Sequence, residues 1–420
     1  MKIFKFGGSS IHNTSHIRNF GEIVKRFPDE EILIVASAID KTTNNLELLH
    51  KYYVENKEEL LKKQFDRIKK FHYGIIENLF DKNDNHTDCK LKIDTVFFEL
   101  EQRLLTPFSG DEDKEYDAIV SFGELLSTII LSKYLQSIGV DNLWLDARSV
   151  IKTDANYRDA YIVWDKTETL INKAVDFGKT KKYLTQGFIG SDENGNTTTL
   201  GREGSDFTAS IFGYALGAES VTVWKDVDGV FNKDPHKYSD AKKIEELSYH
   251  ETIELSYYGA QVIHPKTIKP LQNKKIPLFV KSFYKPDEKG TLIYTENQKN
   301  LPPIFIEKQN QTLLTIYPLD FSFIVEKHLE RLFFLLAKYK IKTSLLQHSA
   351  ISFSIVFNDN YKTFPDLVEE LKKEFKVLYN TGLTLVTIRH YTDELLAEIT
   401  SGKEIFIEQK TRKTARFVLK

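Results

Sequence analysis

The sequence predicts an α/β chain: an open, mainly parallel sheet with helices on both faces, followed by smaller α+β units. Three observations carry this. The first residues run strand, glycine turn, helix, strand; strand and helix alternation resumes past residue 116; and a shorter βαββαβ pattern follows Pro302-Pro303.

The elements follow in order. Lys2–Phe6 reads as a strand, 7–10 as a turn, the stretch from Ile17 to Phe27 as a helix, and Ile32–Ala36 as a strand. The last is a continuous apolar run, the pattern of a parallel strand covered on both faces. Residues 46–105 form a helical subregion, with Leu61, Phe65, Ile68, Phe71, Ile75 and Leu79 at three- and four-residue steps. The polar stretch Asp81–Asp88 reads as a connection before a third helix over Ile93–Leu105. Strands are predicted at Tyr116–Val120, Leu143–Leu145, Leu184–Phe188 and Ser220–Val223, with a hairpin tip at Asp192–Asn196. Beyond Pro302-Pro303 come a strand at Thr312–Ile316, a helix bearing Val325, Leu329, Leu332 and Leu336, an alternating strand at Ile351–Phe357 and a helix bearing Leu367, Leu371 and Phe375. Leu383–Ile388, a helix over Thr392–Ile399 and strands at Glu404–Ile407 and Ala415–Leu419 repeat the unit without its second helix, so this second copy is read as truncated. The expected domains are 1–297 and 298–420.

Composition narrows the function. Lys plus Arg number 58 and Asp plus Glu 60, giving 58 − 60 = −2, so no net basic field draws the chain to nucleic acid or an anionic membrane. The single cysteine, Cys89, can form neither an intramolecular disulfide nor a multi-thiolate metal site, which fits a reducing compartment. The N-terminal residues lack a signal-peptide core, and no apolar stretch long enough to span a bilayer is expected. A cytoplasmic protein is predicted.

Four segments concentrate chemistry. Lys5–Ser10 ends the first strand and opens a helix. Paired glycines there let the backbone approach a phosphate and Lys5 adds a charge, although a plain strand-to-helix turn needs the same residues. Thr197–Asp206 gathers hydroxyls, glycines, Arg202 and a carboxylate. Arg202 suits a bidentate grip on a substrate carboxylate, while Ser205 or Asp206 also suits a helix N-cap. Ser121–Glu124 places a carboxylate at the start of the helix Leu125–Leu135, where it serves either a substrate ammonium or the helix dipole. Trp224–Pro235 reads as a long loop suited to a nucleoside or a metal-bound phosphate, or as an Asp-Gly turn. His12 and His16 have helical spacing but no third ligand, so no protein metal site is predicted.

In combination these segments resemble the aspartate kinases of the amino-acid kinase superfamily. The resemblance rests on KFGGSS at the start, Ser37–Asn44, SFGELLST at 121–128, Leu145–Arg148 with Thr153-Asp154, TTTLGREGSD, KDVDGVFNKDP and Gly259–Pro265, all in the family's order over the whole chain. It implies an amino-acid kinase fold with C-terminal ACT-like regulatory modules. It also implies ATP-dependent phosphorylation of the L-aspartate β-carboxylate, the first step of lysine, threonine and methionine biosynthesis. Lys5, Gly7, Gly8 and Ser9 would contact the ATP phosphates; Thr43, Glu124 and Arg202 would hold aspartate; Ser205 would lie at the phosphate side; Asp226, Phe231 and Asp234 would bind the nucleotide. Lys5 and Asp206 are the implied catalytic pair, with Mg²⁺ carried on ATP, no membrane or nucleic-acid partner, and a homodimer formed through the ACT-like region. Lys5→Ala is expected to affect turnover far more than folding, because the residue sits at a strand end. The rival readings are a kinase for glutamate, acetylglutamate or UMP, and a catalytically silent amino-acid sensor.

The chain departs from the family pattern at Gln261 and His236, where positive residues are usual, at Glu203, where glycine is commoner, and in the regulatory region. There Pro318–Phe323 lacks a turn glycine and Ala350 replaces an effector-binding carboxylate, so lysine or threonine feedback is expected to be altered or absent. Lys225, Lys233 and Lys237 are the candidates to compensate for the missing charges.

Overall fold

A computed structural model describes the chain except for residues 82–83, 261–262, 295–300 and 321. Gln261 therefore lies outside the described residues. The chain forms two compact units. The first comprises 1–230, 243–256 and 261–298, and the second 231–242, 257–260 and 299–420.

The first unit is built on an eight-stranded sheet. Its spatial order is Glu246–Ser248, Thr291–Tyr294, Leu278–Ser282, Ser220–Lys225, Lys2–Phe6, Ile32–Ala36, Lys182–Gln186 and Leu143–Leu145. Only the pairing of Leu278–Ser282 with Thr291–Tyr294 is antiparallel. The first strand is central. Lys5 faces Val35 on one side and Val223 on the other, and Phe6 faces Ala36 and Trp224. Strand order reverses there, so the loops leaving these three carboxyl ends meet where open α/β sheets bind ligands.

Helices pack on this sheet for reasons visible locally. Thr14–Lys25 starts at Asn13, whose side chain accepts the His16 amide at 3.0 Å, and buries Ile17, Phe20, Ile23 and Val24 at helical spacing. Helices Thr42–Val54, Glu58–Leu79 and Asp84–Leu105 form the helical subregion; the last begins inside the stretch expected to be a connection. The hairpin is present, with Ile189–Ser191 antiparallel to Thr197–Thr199 around the expected tip.

Tyr116–Val120, expected as a strand, lies in a helix, Glu112–Val120. The apolar run suggested a buried strand, but Asp111 caps the Lys114 amide at 3.0 Å and Glu112, Asp113 and Glu115 fill the first turn, so the start signals of a helix prevail. With Phe122–Ser137 it makes a helical run of 26 residues apolar enough to cross a membrane, contrary to the expectation that no stretch approaches that length. Its most apolar 18-residue window is 83% buried inside the protein, which accounts for the apolar composition there.

The second unit carries a six-stranded antiparallel sheet ordered Thr343–His348, Phe353–Asn358, Ile304–Pro318, Phe375–Arg389, Thr414–Leu419, Ile405–Lys410. Helices Glu326–Lys338 and Phe364–Leu371 bury Leu332, Leu336, Leu367 and Leu371 against Leu314, Ile316, Ile355 and Phe375. Helix Asp393–Thr400 supplies Leu396 to a separate cluster with Val386, Ile388 and Phe417. The second copy has its single helix, as expected, but the copies are interleaved instead of consecutive. The two 15-residue strands are shared: Ile304–Lys308 pairs with Leu385–Arg389, and Leu313–Pro318 with Phe375–Asn380, with register shifts between. The strand that the truncated copy lacks therefore comes from residues ahead of the first copy.

Candidate active site

The site grows from the carboxyl end of the first strand. Lys5 is 9% exposed and its Nζ lies 2.6 Å from Asp206 Oδ1, with the Asp206 side chain 4% exposed. The expectation of an open strand end is corrected here: Lys5 is half of a buried ion pair. Burial alone would raise the Asp206 carboxyl, but Lys5, Lys225 and His264 together hold it below the usual aspartate range. Of the three lysines considered as compensators, Lys225 is the one whose charge reaches Asp206. Lys233 pairs with Asp240, and Lys237 lies 3.4 Å from Glu307.

Gly7 and Gly8 follow at once. A Cβ on Gly8 would stand 2.9 Å from the Ala38 carbonyl oxygen and 3.1 Å from that of Asp40, so only glycine lets this loop lie against the loop leaving the second strand. The segment Gly8–Ile11 is a four-residue 3₁₀ turn and the α-helix starts at Thr14. The α-helix therefore does not open directly on the glycine turn as expected, and the anion-attracting charge of this loop comes from Lys5. Ser10 Oγ donates to the Trp224 carbonyl at 3.1 Å, and His12 Nδ1 lies 2.8 Å from the Ser9 carbonyl, which pin the turn at both ends.

The helix that opens on the site is Gly204–Leu216. Ser205 and Asp206 are not its N-cap. Glu203 holds that position in the left-handed region at φ 53°, and its Oε2 accepts the His264 amide at 2.9 Å. A left-handed cap explains why glycine is favoured there. Ser205 packs against Gly187, where a Cβ would approach within 2.4 Å. Next to it Phe188 adopts φ 70°, a strained conformation for an aromatic residue, with its amide donating to Thr208 Oγ1 at 2.9 Å.

Glu124, in the first turn of Phe122–Ser137, is 3% exposed. Its Oε1 accepts the Ala38 amide at 3.2 Å, while its Oε2 is buried with no hydrogen-bond partner. Burial pushes its carboxyl up to about 8, despite the amide contact. A buried carboxylate oxygen without a donor is costly, and an ammonium group would satisfy it. Gly123 makes the approach possible: a Cβ there would meet the Ala38 Cβ at 3.0 Å. Thr43 lies half-buried in the first turn of the helix that follows the Ala38 loop. Arg202 is exposed, as is Asp226 just past Ser220–Lys225.

The structure thus joins Lys5, Gly7, Gly8, Glu124, Ser205 and Asp206 through contacts or shared neighbours, with Ser9, Thr43, Arg202 and Asp226 on the segments that carry them. Phe231 and Asp234 belong to the second unit. Asp234 accepts the amide of the exposed His236 at 2.9 Å, a turn-capping contact. Sequence reasoning missed Phe188, the Ala38 amide and His264. The first two leave no local pattern, since any residue supplies an amide and no composition marks a strained backbone. His264 was within a recognised motif but without a role.

Comparisons with known proteins show the family to which the chain belongs. The model of the amino acid kinase family matches residues 1–282. Lysine-sensitive aspartokinase 3 of Escherichia coli (strain K12) is 31% identical over 96% of this chain and 90% of its own length, and the chloroplastic aspartokinase 1 of Arabidopsis thaliana is 31% identical over 92% and 70%. Among solved structures, E. coli aspartokinase III in complex with aspartate and ADP aligns over 100% of this chain and 96% of that one, at 27% identity and a TM-score of 0.82. A family model covering residues 1–282 and relatives matched over nearly their whole length show that the chain belongs to the amino acid kinase family, among its aspartokinases.

Proposed function

We propose that this chain transfers the γ-phosphoryl group of ATP to the β-carboxylate of L-aspartate, giving 4-phospho-L-aspartate and ADP. The observation that carries the reading is Glu124 Oε2, a buried carboxyl oxygen with no hydrogen-bond partner, on the same loop system as the Lys5–Asp206 pair. Glu124 receives the α-ammonium group and Arg202 a carboxylate, with Thr43 beside them. The β-carboxylate is ionised near neutral pH, so attack on the phosphorus needs no general base. A β-carboxylate oxygen forms the new P–O bond as the bond to ADP breaks, and the protein has to bring two anions together and neutralise them.

Lys5 supplies positive charge at the phosphates, and Asp206 holds its ammonium in place. Gly7, Gly8 and Ser9 give the phosphates close access to backbone. Ser205 stands on the phosphate side, with Asp226, Phe231 and Asp234 on the nucleotide side. Mg²⁺ bound to the nucleotide would neutralise phosphate charge; Asp206 and Asp226 are the carboxylates at hand. A place at the head of lysine, threonine and methionine synthesis, a cytoplasmic location and a homodimer through the ACT-like second unit complete the reading.

The deciding experiment is acceptor-dependent ADP release from MgATP with aspartate, glutamate, acetylglutamate or UMP as acceptor, with hydroxylamine trapping of the acyl phosphate for the carboxylate acceptors. Aspartate-dependent product supports the proposal. Turnover of another acceptor alone, or binding of aspartate without turnover, replaces it with one of the rival readings.

A further inference from the structure

We propose that Asp117 is a positioning residue for the amino-acid substrate, fixing the separation between Glu124 and Arg202. The inference rests on the aspartate kinase reading and concerns a residue that touches no reacting atom. Asp117 lies in helix Glu112–Val120 and is wholly buried. Both of its oxygens are engaged. Oδ2 accepts the Thr199 amide at 2.7 Å and the Arg158 amide at 3.0 Å, and Oδ1 accepts the Thr199 hydroxyl at 2.7 Å. Burial pushes its carboxyl up to about 6, and these three donors with the Arg158 charge oppose that rise.

Each partner leads toward the substrate. On its own helix, the Asp117 carbonyl accepts the Ser121 amide at 3.3 Å, one turn before Phe122–Ser137 presents Glu124. Thr199 ends the hairpin strand that runs directly through Leu200 and Gly201 into Arg202. Arg158 belongs to the segment on which Gly201 rests. Gly201 has φ 76°, and a Cβ there would stand 2.4 Å from Asp159 Oδ1 and 3.3 Å from the Arg158 carbonyl. The segment is held firmly: Arg158, at φ 66°, stacks 4.1 Å over the Tyr116 ring and pairs with Asp113 at 2.5 Å and Glu112 at 3.3 Å. A single carboxylate therefore ties the Glu124 helices, the Arg202 strand and the bed beneath Gly201.

An amino acid bound with its ammonium at Glu124 and a carboxylate at Arg202 spans the distance that Asp117 sets. Loss of that setting misplaces one grip relative to the other, while the Lys5 loop keeps its own supports. The test uses the full-length protein and hydroxamate kinetics, varying aspartate at saturating MgATP and then MgATP at saturating aspartate, with thermal melts alongside. Asp117→Asn turns one acceptor oxygen into an NH₂ group facing a donor, and Thr199→Val removes only the hydroxyl donor. The expected result is a KM for aspartate raised about tenfold in Asp117→Asn and about threefold in Thr199→Val, the scale of one lost hydrogen bond, with the KM for ATP within about twofold. Thr199→Ser restores the wild-type value. An unchanged aspartate KM, or aspartate and ATP KM values rising together, overturns the role of Asp117. If Asp117→Asn fails to fold, the Thr199→Val and Thr199→Ser comparison decides alone. A wild type that forms no aspartyl hydroxamate overturns the substrate reading, and this inference with it.

Discussion

At the scale of single residues, the buried carboxyl groups of Glu124 and Asp206 behave in opposite ways because Asp206 has a cation beside it and Glu124 does not. Burial raises the Glu124 pKa to about 8, so at neutral pH without a cation beside it the group is largely protonated. Binding of an ammonium favours the anion, and aspartate binding at pH 7 should release close to one proton, measurable by calorimetry in buffers of different ionisation enthalpy. A raised carboxyl pKa contributes stability that is complete below about 4.5 and lost as pH climbs through about 8. Glu124→Gln escapes that loss. Its melting temperature should gain on wild type between those two pH values, while aspartate-dependent turnover collapses. Asp206 is the reverse case. Its lowered pKa contributes stability present above 3.8 and lost on acidification. Lys5→Met leaves that carboxylate buried without its closest partner, so it should lower kcat by about 100-fold and destabilise the protein by about 3 kcal/mol at pH 7. The stability deficit should shrink toward acid pH in urea melts. A variant with wild-type stability at pH 7 would show that Lys225 and His264 suffice.

At the scale of elements, the first βαβ unit and the hairpin were legible because their signals are local: a continuous apolar run, a Gly-Gly turn, a cluster of turn residues. Helix Glu112–Val120 was misread because three apolar residues in succession fit a buried strand as well as a helix buried on all sides. Asp111 and the acids after it were the signal to weigh. Likewise Lys5, Glu124 and Asp206 could be picked out by residue type, but the Lys5–Asp206 pairing, the lone oxygen of Glu124 and the strain at Phe188 depend on segments far apart in sequence. The Gly8 loop shows how tightly such segments meet. Gly8→Ala forces its new methyl onto two carbonyl oxygens, with a cost of about 1–3 kcal/mol and a rise in the KM for ATP larger than that for aspartate. Equal or absent effects on the two KM values would place the loop elsewhere in the mechanism.

For the whole molecule, the net charge of −2 means that nucleotide binding depends on local groups such as Lys5 and Lys225. The second unit bears the regulatory prediction. With Ala350 and the Pro318–Phe323 segment departing from the family pattern, millimolar lysine or threonine should leave the initial rate of hydroxamate formation unchanged; strong inhibition by either would reverse the reading. The shared strands of this unit also make it an insertion. Because Ile304–Lys308 and Leu385–Arg389 are neighbours, the chain from about residue 311 to 381 leaves and re-enters at one edge of a smaller sheet that packs against Leu396, and Leu345 and Val356 of that segment pack back onto Ile407 and Val418. A gene joining those two points through a short turn would encode a continuous, shorter module. Cutting the chain anywhere between the two points would instead orphan a strand from each half.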